Sequence, residues 1–244
     1  MKLLSVNRDA KTKKGNKFGV LTGILYLAPS DVSGYQVCPK ASEGCKLACL
    51  YTAGYGVYAK VQKGRINRTL RFFREREAFL ADLVEDIGRL VSAANRNGMK
   101  AAVRLNGTSD IAWEKFKVTL ANKEYANVFE AFPDVQFYDY TKILGRKSAL
   151  KYKNYHLTFS LSESNSKDAI KALDSGFNVA VVLKINKDSA KPTQFSGYPV
   201  IDGDTSDIRF KDKKGGHIVA LSAKGRARHD TSGFVKDIDF KLAA

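Results

Sequence analysis

The 244-residue chain has an ordinary globular composition, with 44% hydrophobic, 27% charged and 11% aromatic residues. This composition excludes a disordered, collagen-like or low-complexity protein, and the length allows one large domain or two small ones. Lys and Arg number 41 against 25 Asp and Glu, which gives a net charge of +16 and favours a polyanionic partner such as nucleic acid. The longest apolar run, residues 18–28, is too short to cross a membrane, so we expect no membrane association.

The N-terminal end of the chain carries most of the excess charge. Residues 1–80 hold 15 basic and 5 acidic side chains, and the first 14 residues lack the apolar core and cleavage site of a signal peptide. We therefore expect a cytoplasmic protein. Three arginines lie three residues apart and can project from one side of a helix, so we predict that they bind nucleic acid, with plain solvent exposure as the alternative: Arg65, Arg68 and Arg71.

The first half of the chain predicts strand, loop and helix in that order. The apolar stretch FGVLTGILYL, residues 18–27, predicts one or two strands, and a cysteine-containing loop follows it directly. From residue 68 to residue 91, apolar residues recur every three or four positions, which predicts one long amphipathic helix. Asn97-Gly98 is a typical helix end.

Short apolar runs, each followed by polar residues, dominate the second half of the chain. A helix is predicted between two of them at 166–174, because Ser and Asn stand at its start and Gly176 just past its end. Strands alternating with helices at this spacing indicate parallel βα units. We predict a single α/β domain over 1–244, a partial (β/α) barrel of about six or seven mostly parallel strands, with the cysteine loop after the first strand. The later strands are predicted at 100–105, 135–138, 155–161, 178–183, 198–201 and 217–221.

All the cysteines lie within twelve residues, in the sequence CPKASEGCKLAC. This clustering favours a metal or cluster site over buried, scattered thiols, and the three predicted metal ligands are Cys38, Cys45 and Cys49. Zinc usually takes four ligands, and the histidines lie more than a hundred residues downstream, so zinc remains an alternative that needs a distant ligand. Three thiolates fit an iron–sulfur cubane, 4Fe–4S, with one iron open to a small molecule.

In a parallel barrel, the loops after the strands meet at one mouth. Arg104 lies inside an apolar run and needs a partner if it is buried, for which we expect Asp110 or Asp139. The polar residues at successive strand ends are predicted to share the mouth with the cysteines and to bind a cofactor or small-molecule ligand: Asn106, Asp110, Asp139, Lys142, Lys184 and Asp202.

The acidic sequence DGDTSD offers another chemistry. Asp202, Asp204 and Asp207, together with Asp139, have the carboxylates that a magnesium-dependent nuclease would use. The same letters are typical of a turn whose side chains cap the backbone, and we favour the turn.

Six segments together resemble the phage gene 88 protein family, in this order: CPKASEGCKLAC, GRINRTLRFF, VRLNGTSDIAWE, FYDYTK, DGDTSDIRF and AKGRAR. This resemblance covers nearly the whole chain and implies a phage or prophage origin, and hence the host cytoplasm. A more distant resemblance is to radical S-adenosylmethionine enzymes, which also place a three-cysteine cluster loop after the first strand of a partial barrel. Those enzymes space their cysteines three and two residues apart, whereas this chain has gaps of six and three, so binding of S-adenosylmethionine stays undecided.

Two functions from different classes follow from the sequence. The first is an iron–sulfur enzyme, redox or radical, whose cluster binds a small molecule at the barrel mouth. The second is a non-catalytic module in which a cluster or zinc holds the loop together while the basic face binds nucleic acid or a host protein. The unlike polar groups at the strand ends favour the enzyme, and the charge and irregular cysteine spacing favour the module.

Overall fold

The computed structural model describes residues 2–7, 15–186 and 189–242. Its strands are β1 Leu4–Val6, β2 Val20–Leu25, β3 Lys100–Arg104, β4 Val118–Leu120, β5 Lys123–Tyr125, β6 Gln136–Thr141, β7 Tyr155–Ser160, β8 Val179–Leu183, β9 Gln194–Phe195, β10 Tyr198–Asp202 and β11 Ile218–Ser222. Its α-helices are α1 Glu43–Leu47, α2 Ala59–Arg74, α3 Arg76–Arg96, α4 Val128–Ala131 and α5 Ser166–Asp174. Short 3₁₀ helices occupy Leu50–Thr52, Gly54–Val57, Trp113–Lys115, Leu144–Lys151, Arg209–Lys211 and Gly225–His229.

One nine-stranded sheet has the order β1-β2-β3-β6-β7-β8-β11-β10-β9, and β4 pairs with β5 separately. Parallel pairing joins β2 to β3, β3 to β6, β7 to β8, β8 to β11 and β11 to β10. The pairs at the two ends of the order, β1 with β2 and β9 with β10, are antiparallel. The structure therefore confirms the predicted α/β class with a mostly parallel sheet. No closed barrel is found in the described ranges.

In the described part of the chain, the cysteine loop follows the second strand and not the first. The short strand β1 precedes β2 and pairs with it, while the buried carboxylate of Asp86 accepts hydrogen bonds from the backbone N–H groups of Leu3 and Leu4. The sequence prediction missed β1 because three residues are too few to show alternation. β2 itself is buried at all six positions, as expected for a strand covered on both faces.

The single long helix predicted from 68 to 91 is wrong in its bounds, because two helices meet at Glu75. Glu75 has φ −132° and ψ 52°, outside the helical region. The side chain of Arg76 donates a 2.8 Å hydrogen bond to the backbone carbonyl of Phe72 and covers the ring of Phe72, so a side chain satisfies a carbonyl at the end of α2. The periodicity continues across the break because Phe72 and Phe79 pack together, with ring centroids 5.4 Å apart.

The chain divides into two compact units, and each unit combines separated parts of the sequence. The first unit comprises Met1–Pro39, Tyr58–Asp139 and Arg146–His156, and the second comprises Lys40–Val57, Tyr140–Gly145 and Leu157–Ala244. A cluster of aromatic rings packs in the first unit, including Phe72, Trp113 and Phe116. None of the described helices is both long and apolar enough to cross a membrane. The single domain over 1–244 stays a prediction.

Candidate functional site

Cys38 lies in the first unit, at the end of the loop that follows β2. The backbone N–H of Ser30 donates to its sulfur at 3.4 Å, and the thiol lies 3.8 Å from the carbonyl oxygen of Thr108. The N–H of Asp110 donates to the carbonyl of Val37 at 2.8 Å. The fold thus brings the first cysteine against the loop 106–110, about seventy residues later in the chain.

Asn106 organises that loop through hydrogen bonds. Its Oδ1 accepts from the Ser109 hydroxyl at 2.8 Å, the Ile111 N–H at 2.9 Å and the Trp113 indole N–H at 3.1 Å. Its own backbone N–H donates to Asp139 Oδ1 at 2.7 Å. The side chain is 2% exposed, so Asn106 shapes the loop beside Cys38, and its role in ligand binding stays a prediction.

A buried polar network extends from Asp139, which has no exposed surface. The Tyr155 hydroxyl donates to Asp139 Oδ2 at 3.1 Å and accepts from Arg146 Nη2 at 2.7 Å. The guanidinium of Arg146 also pairs with Glu114 at 2.8 Å and with Asp110 at 3.3 Å. Two of the predicted site residues, Asp110 and Asp139, are therefore linked through one arginine.

Burial changes the protonation of Asp139. Loss of solvation raises the pKa of this carboxyl from 3.8 to about 7, against the opposing effects of the Asn106 N–H and the charges of Arg104 and Arg146. Burial likewise raises the pKa of Tyr155 well above its usual value. The charge of Arg104 thus acts on Asp139, one of the two partners expected from the sequence. Near neutral pH, Asp139 can hold or release a proton inside the fold.

Cys45 and Cys49 lie in the second unit, on either side of the end of α1. Ser42 caps the start of α1, where its hydroxyl accepts from the Cys45 N–H at 3.3 Å. The carboxylate of Glu163 accepts from the Ser42 hydroxyl at 2.7 Å and from the Gly44 N–H at 2.8 Å. These bonds fix the first turn of α1, which carries Cys45, to the segment just after β7.

Gly44 has to be glycine for this arrangement. A Cβ atom added at Gly44 would overlap the hydroxyl of Ser232 and lie 2.8 Å from Glu163 Oε2. Such distances are well below ordinary van der Waals contact. The close approach lets Glu163 reach the backbone of the cysteine-bearing helix.

None of the three cysteines is in a disulfide, and all have intermediate exposure, so each can be reached by a metal or by cluster components. Thiolates at loop and helix-end positions are the ligand type that iron–sulfur clusters use. Among the described residues, no three His, Cys, Asp or Glu side chains are grouped as a preformed metal site. The donor chemistry therefore fits a cluster, and the geometry would have to be completed as the cluster binds.

The remaining predicted site residues lie in the second unit. Lys142 Nζ is 3.0 Å from the Ser160 hydroxyl. Lys184 is exposed, and Asp202 caps the following turn, since its Oδ1 accepts the Asp204 N–H at 2.8 Å. The turn interpretation of DGDTSD is thereby supported at its first residues.

Asp204, and not Asp202, is the buried acid of that turn. Its carboxylate pairs with Lys224 at 2.8 Å and Lys191 at 3.2 Å, and accepts the Ser222 N–H at 2.8 Å. Burial opposes the charge, but the bonds from Lys224 and Ser222 outweigh burial and lower the pKa of Asp204 below its usual range. The Asp204 carboxylate is therefore held in ion pairs with two lysines.

The three arginines predicted to bind nucleic acid contact other parts of the first unit. Arg65 is 6% exposed, with its guanidinium over the ring of Tyr26 at 4.7 Å, and Arg68 Nε donates to the Tyr26 carbonyl at 3.0 Å. Arg71 forms ion pairs with Asp82 and Glu75. They lie inside α2, and their role in nucleic-acid binding stays a prediction.

A model of the gene product 88 family matches residues 1–238. The chain belongs to this phage family. Searches of curated proteins and of solved structures gave no match, so the predicted likeness to radical S-adenosylmethionine enzymes finds no support there. The family match confirms the resemblance drawn from the six sequence segments.

Some polar residues of this gene product 88 protein were missed by sequence reasoning. Arg146 and Tyr155 complete the Asp139 network, yet Arg146 lies in a 3₁₀ segment without periodicity and Tyr155 begins a strand. Glu114 follows Asp110 by four residues, and two acids at that spacing are a signal for a shared cation. Lys191 lies in an irregular stretch, where nothing in the sequence predicts its burial against Asp204.

Proposed function

We propose that this gene product 88 protein is a phage iron–sulfur protein in which Cys38, Cys45 and Cys49 hold a 4Fe–4S cluster. The observation that carries the proposal is the state of the cysteines: none of the three is in a disulfide, and all have intermediate exposure on the segment that follows the parallel strand β2. When bound, such a cluster supplies one-electron chemistry or an open iron for a small molecule.

The surroundings of the sulfurs support a cluster. The Ser30 N–H already donates to the Cys38 sulfur, and hydrogen bonds to cluster sulfurs tune the reduction potential. The proposal requires the three sulfurs to come together on cluster assembly, and metal binding that completes a fold in this way is common. It also retains the partial-barrel arrangement, in which the cysteine segment lies at the mouth formed by the strand ends.

If the protein is an enzyme, we assign distinct roles to the polar residues. Asn106 and the loop 106–110 position Cys38, since Asn106 orders the loop and the loop contacts Cys38 and Val37 through Thr108 and Asp110. Asp139 holds a proton, with a pKa of about 7, as a group that exchanges protons near neutral pH must. Lys184 is exposed and Asp202 lies at a strand end, where they are accessible to a small-molecule ligand.

The alternative is a non-catalytic module in which zinc or a cluster holds the cysteine segment and the basic face binds nucleic acid or a host protein. The net charge of +16 favours it. The two functions differ in what the metal centre contacts: the enzyme exposes iron to a small molecule, whereas the module needs only a filled ligand shell.

Anaerobic reconstitution of the full-length protein with iron and sulfide tests the proposal. We expect a brown protein that oxygen bleaches, and Ser at any one of Cys38, Cys45 or Cys49 should remove most of the visible absorption. Ser33→Ala, a change at a residue in the loop between β2 and Cys38, is the control and should leave the absorption intact. Colourless protein, or absorption unaffected by all three cysteine changes, would overturn the proposal. Equilibrium dialysis of labelled S-adenosylmethionine against the brown protein then decides whether that cofactor binds.

A further inference from the structure

A cavity of about 290 Å³ lies in the second unit, and neither the cysteines nor the Asp139 network line it. Its lining comes from the end of α1, from the 3₁₀ helix Gly225–His229 and from the segment that follows this 3₁₀ helix. The side chains that matter for its chemistry are Leu47, Ala48, Arg226, His229, Thr231 and Ser232. Its size is near the lower end of small-molecule sites, about 300 Å³.

Two side chains in this cavity have hydrogen-bond donors that no other described residue uses. Arg226 and His229 are exposed, and within the described part of the chain neither forms a hydrogen bond or an ion pair with another residue. The Thr231 hydroxyl is likewise exposed and unbonded there. A guanidinium, an imidazole and a hydroxyl thus line one wall with their donor groups available to a ligand.

One acid, Asp230, also lies in the cavity wall. Asp230 Oδ1 accepts the Ser232 hydroxyl at 2.6 Å, and its Oδ2 accepts the Val235 N–H at 2.9 Å. Burial opposes ionisation, but these bonds outweigh burial and lower the pKa of Asp230. The carboxylate keeps its negative charge, but both of its oxygens are engaged within the segment 230–235, so the donors left to an anionic ligand are those of Arg226, His229 and Thr231.

The part of the lining that comes from the end of α1 is apolar. Leu47 is 55% exposed, and Ala48 belongs to a buried cluster with Ala227 and Phe234. A ligand that fills the cavity therefore combines an anionic end with a less polar body. Inorganic anions would occupy only the basic end.

We propose that this cavity binds a phosphate monoester, with the phosphate on Arg226, His229 and Thr231 and the organic group against Leu47. A phosphate dianion offers three acceptor oxygens to three donor groups, and arginine recognises phosphate through two parallel hydrogen bonds. The shared chemistry is the phosphate itself, either free or carried on a nucleotide. The proposal does not rest on the cluster, although α1 carries both Cys45 and Leu47.

Isothermal titration calorimetry of the full-length protein with inorganic phosphate, AMP and adenosine tests this site. We expect saturable binding of AMP, weaker binding of phosphate, and none of adenosine. Arg226→Ala should weaken AMP binding at least about tenfold, as expected for a lost charged hydrogen bond. Arg228→Ala is the matched control, because it removes the same charge from the same 3₁₀ helix at a residue that does not line the cavity, and it should change affinity less than about twofold.

Leu47→Asn separates the two ligand sources. It should weaken AMP while leaving phosphate unchanged, since only the ester has a group that reaches the apolar wall. The proposal is overturned if neither AMP nor phosphate binds saturably, if Arg228→Ala costs as much as Arg226→Ala, or if Leu47→Asn weakens both ligands equally. The iron content of each variant is also measured, so that a loss of AMP or phosphate binding is not confused with a loss of the cluster.

Discussion

The buried carboxyl of Asp139 makes stability depend on pH in a direction opposite to that of most acidic residues. Its pKa rises from 3.8 to about 7 on folding, so the folded protein binds the proton more tightly than the unfolded chain. Stability from this group is fully present below pH 3.8 and is lost as the pH rises through 7. We therefore change Asp139 to Asn, which keeps the shape and cannot titrate.

The size of the effect follows from the shift. A difference of about 3 pKa units at about 1.4 kcal/mol per unit gives at most about 4 kcal/mol. The unfolding free energy of the native protein, minus that of Asp139→Asn, should fall by up to this amount between pH 4 and pH 7.5. Other groups, including the partly buried Asp212, whose pKa is also raised by loss of solvation, titrate in both proteins, so their effects largely cancel in the difference.

Urea titrations at half-unit pH steps measure this difference directly. Asp86→Asn serves as a control, because Asp86 is another buried acid of the first unit whose hydrogen bonds to Leu4 and Arg89 lie elsewhere. A difference between native protein and Asp139→Asn that stays constant from pH 4 to pH 7.5 would refute the reasoning. It would mean that the Asn106 N–H, the Tyr155 hydroxyl and the two arginines keep the carboxylate charged despite its burial.

Three further perturbations test other parts of the structure. Glu163→Gln should cost about 1–2 kcal/mol, since charge-assisted bonds to α1 become neutral, and should raise hydrogen exchange at residues 42–49; Glu43→Gln, exposed on the same helix, should do neither. Asp204→Asn should lower the unfolding free energy at pH 7 by about 3 kcal/mol. This loss should be smaller at pH 3, because the stability from a lowered pKa is fully present above the ordinary value and is lost gradually as the pH falls below it. If the basic N-terminal part binds duplex DNA, log affinity should fall with log salt by about 0.9 per neutralised phosphate, and the binding should weaken when alanine replaces Arg65, Arg68 and Arg71.

Each of these expectations has a contradicting result. Equal exchange at 42–49 in the two glutamate variants would remove Glu163 from the support of α1. A loss for Asp204→Asn that is the same at pH 3 and pH 7 would contradict the charged pairs with Lys191 and Lys224. DNA binding that is insensitive to salt, or that falls equally when alanine replaces three exposed lysines, would contradict the arginine site; those lysines are Lys211, Lys213 and Lys214.

Elements with local signals were predictable from the sequence. The helix α5 occupies Ser166–Asp174 as predicted, because its start, its apolar stripe and the glycine after its end are all encoded within eleven residues. The strands β3, β7 and β8 were predicted within a residue or two for the same reason. Short β1 and the break at Glu75 depend on contacts from other segments, and no local pattern shows them.

The candidate site was predictable in its residue types and less so in their roles. The prediction that Cys38 and Asp110 come close is consistent with the contacts of Thr108 and Val37. The amide of Asn106 forms hydrogen bonds with nearby backbone, and Arg146 joins Asp110 to Tyr155. Both arrangements depend on side-chain directions inside the fold. Those directions are set by packing between segments distant in sequence.

The iron–sulfur proposal is tested most directly by metal and sulfide analysis of the full-length protein, purified without oxygen from iron-supplemented cells. We predict iron and acid-labile sulfide in equal amounts, about four of each per chain, and little zinc. Stoichiometric zinc without sulfide, or protein free of both metals, would contradict the assignment of Cys38, Cys45 and Cys49 as cluster ligands.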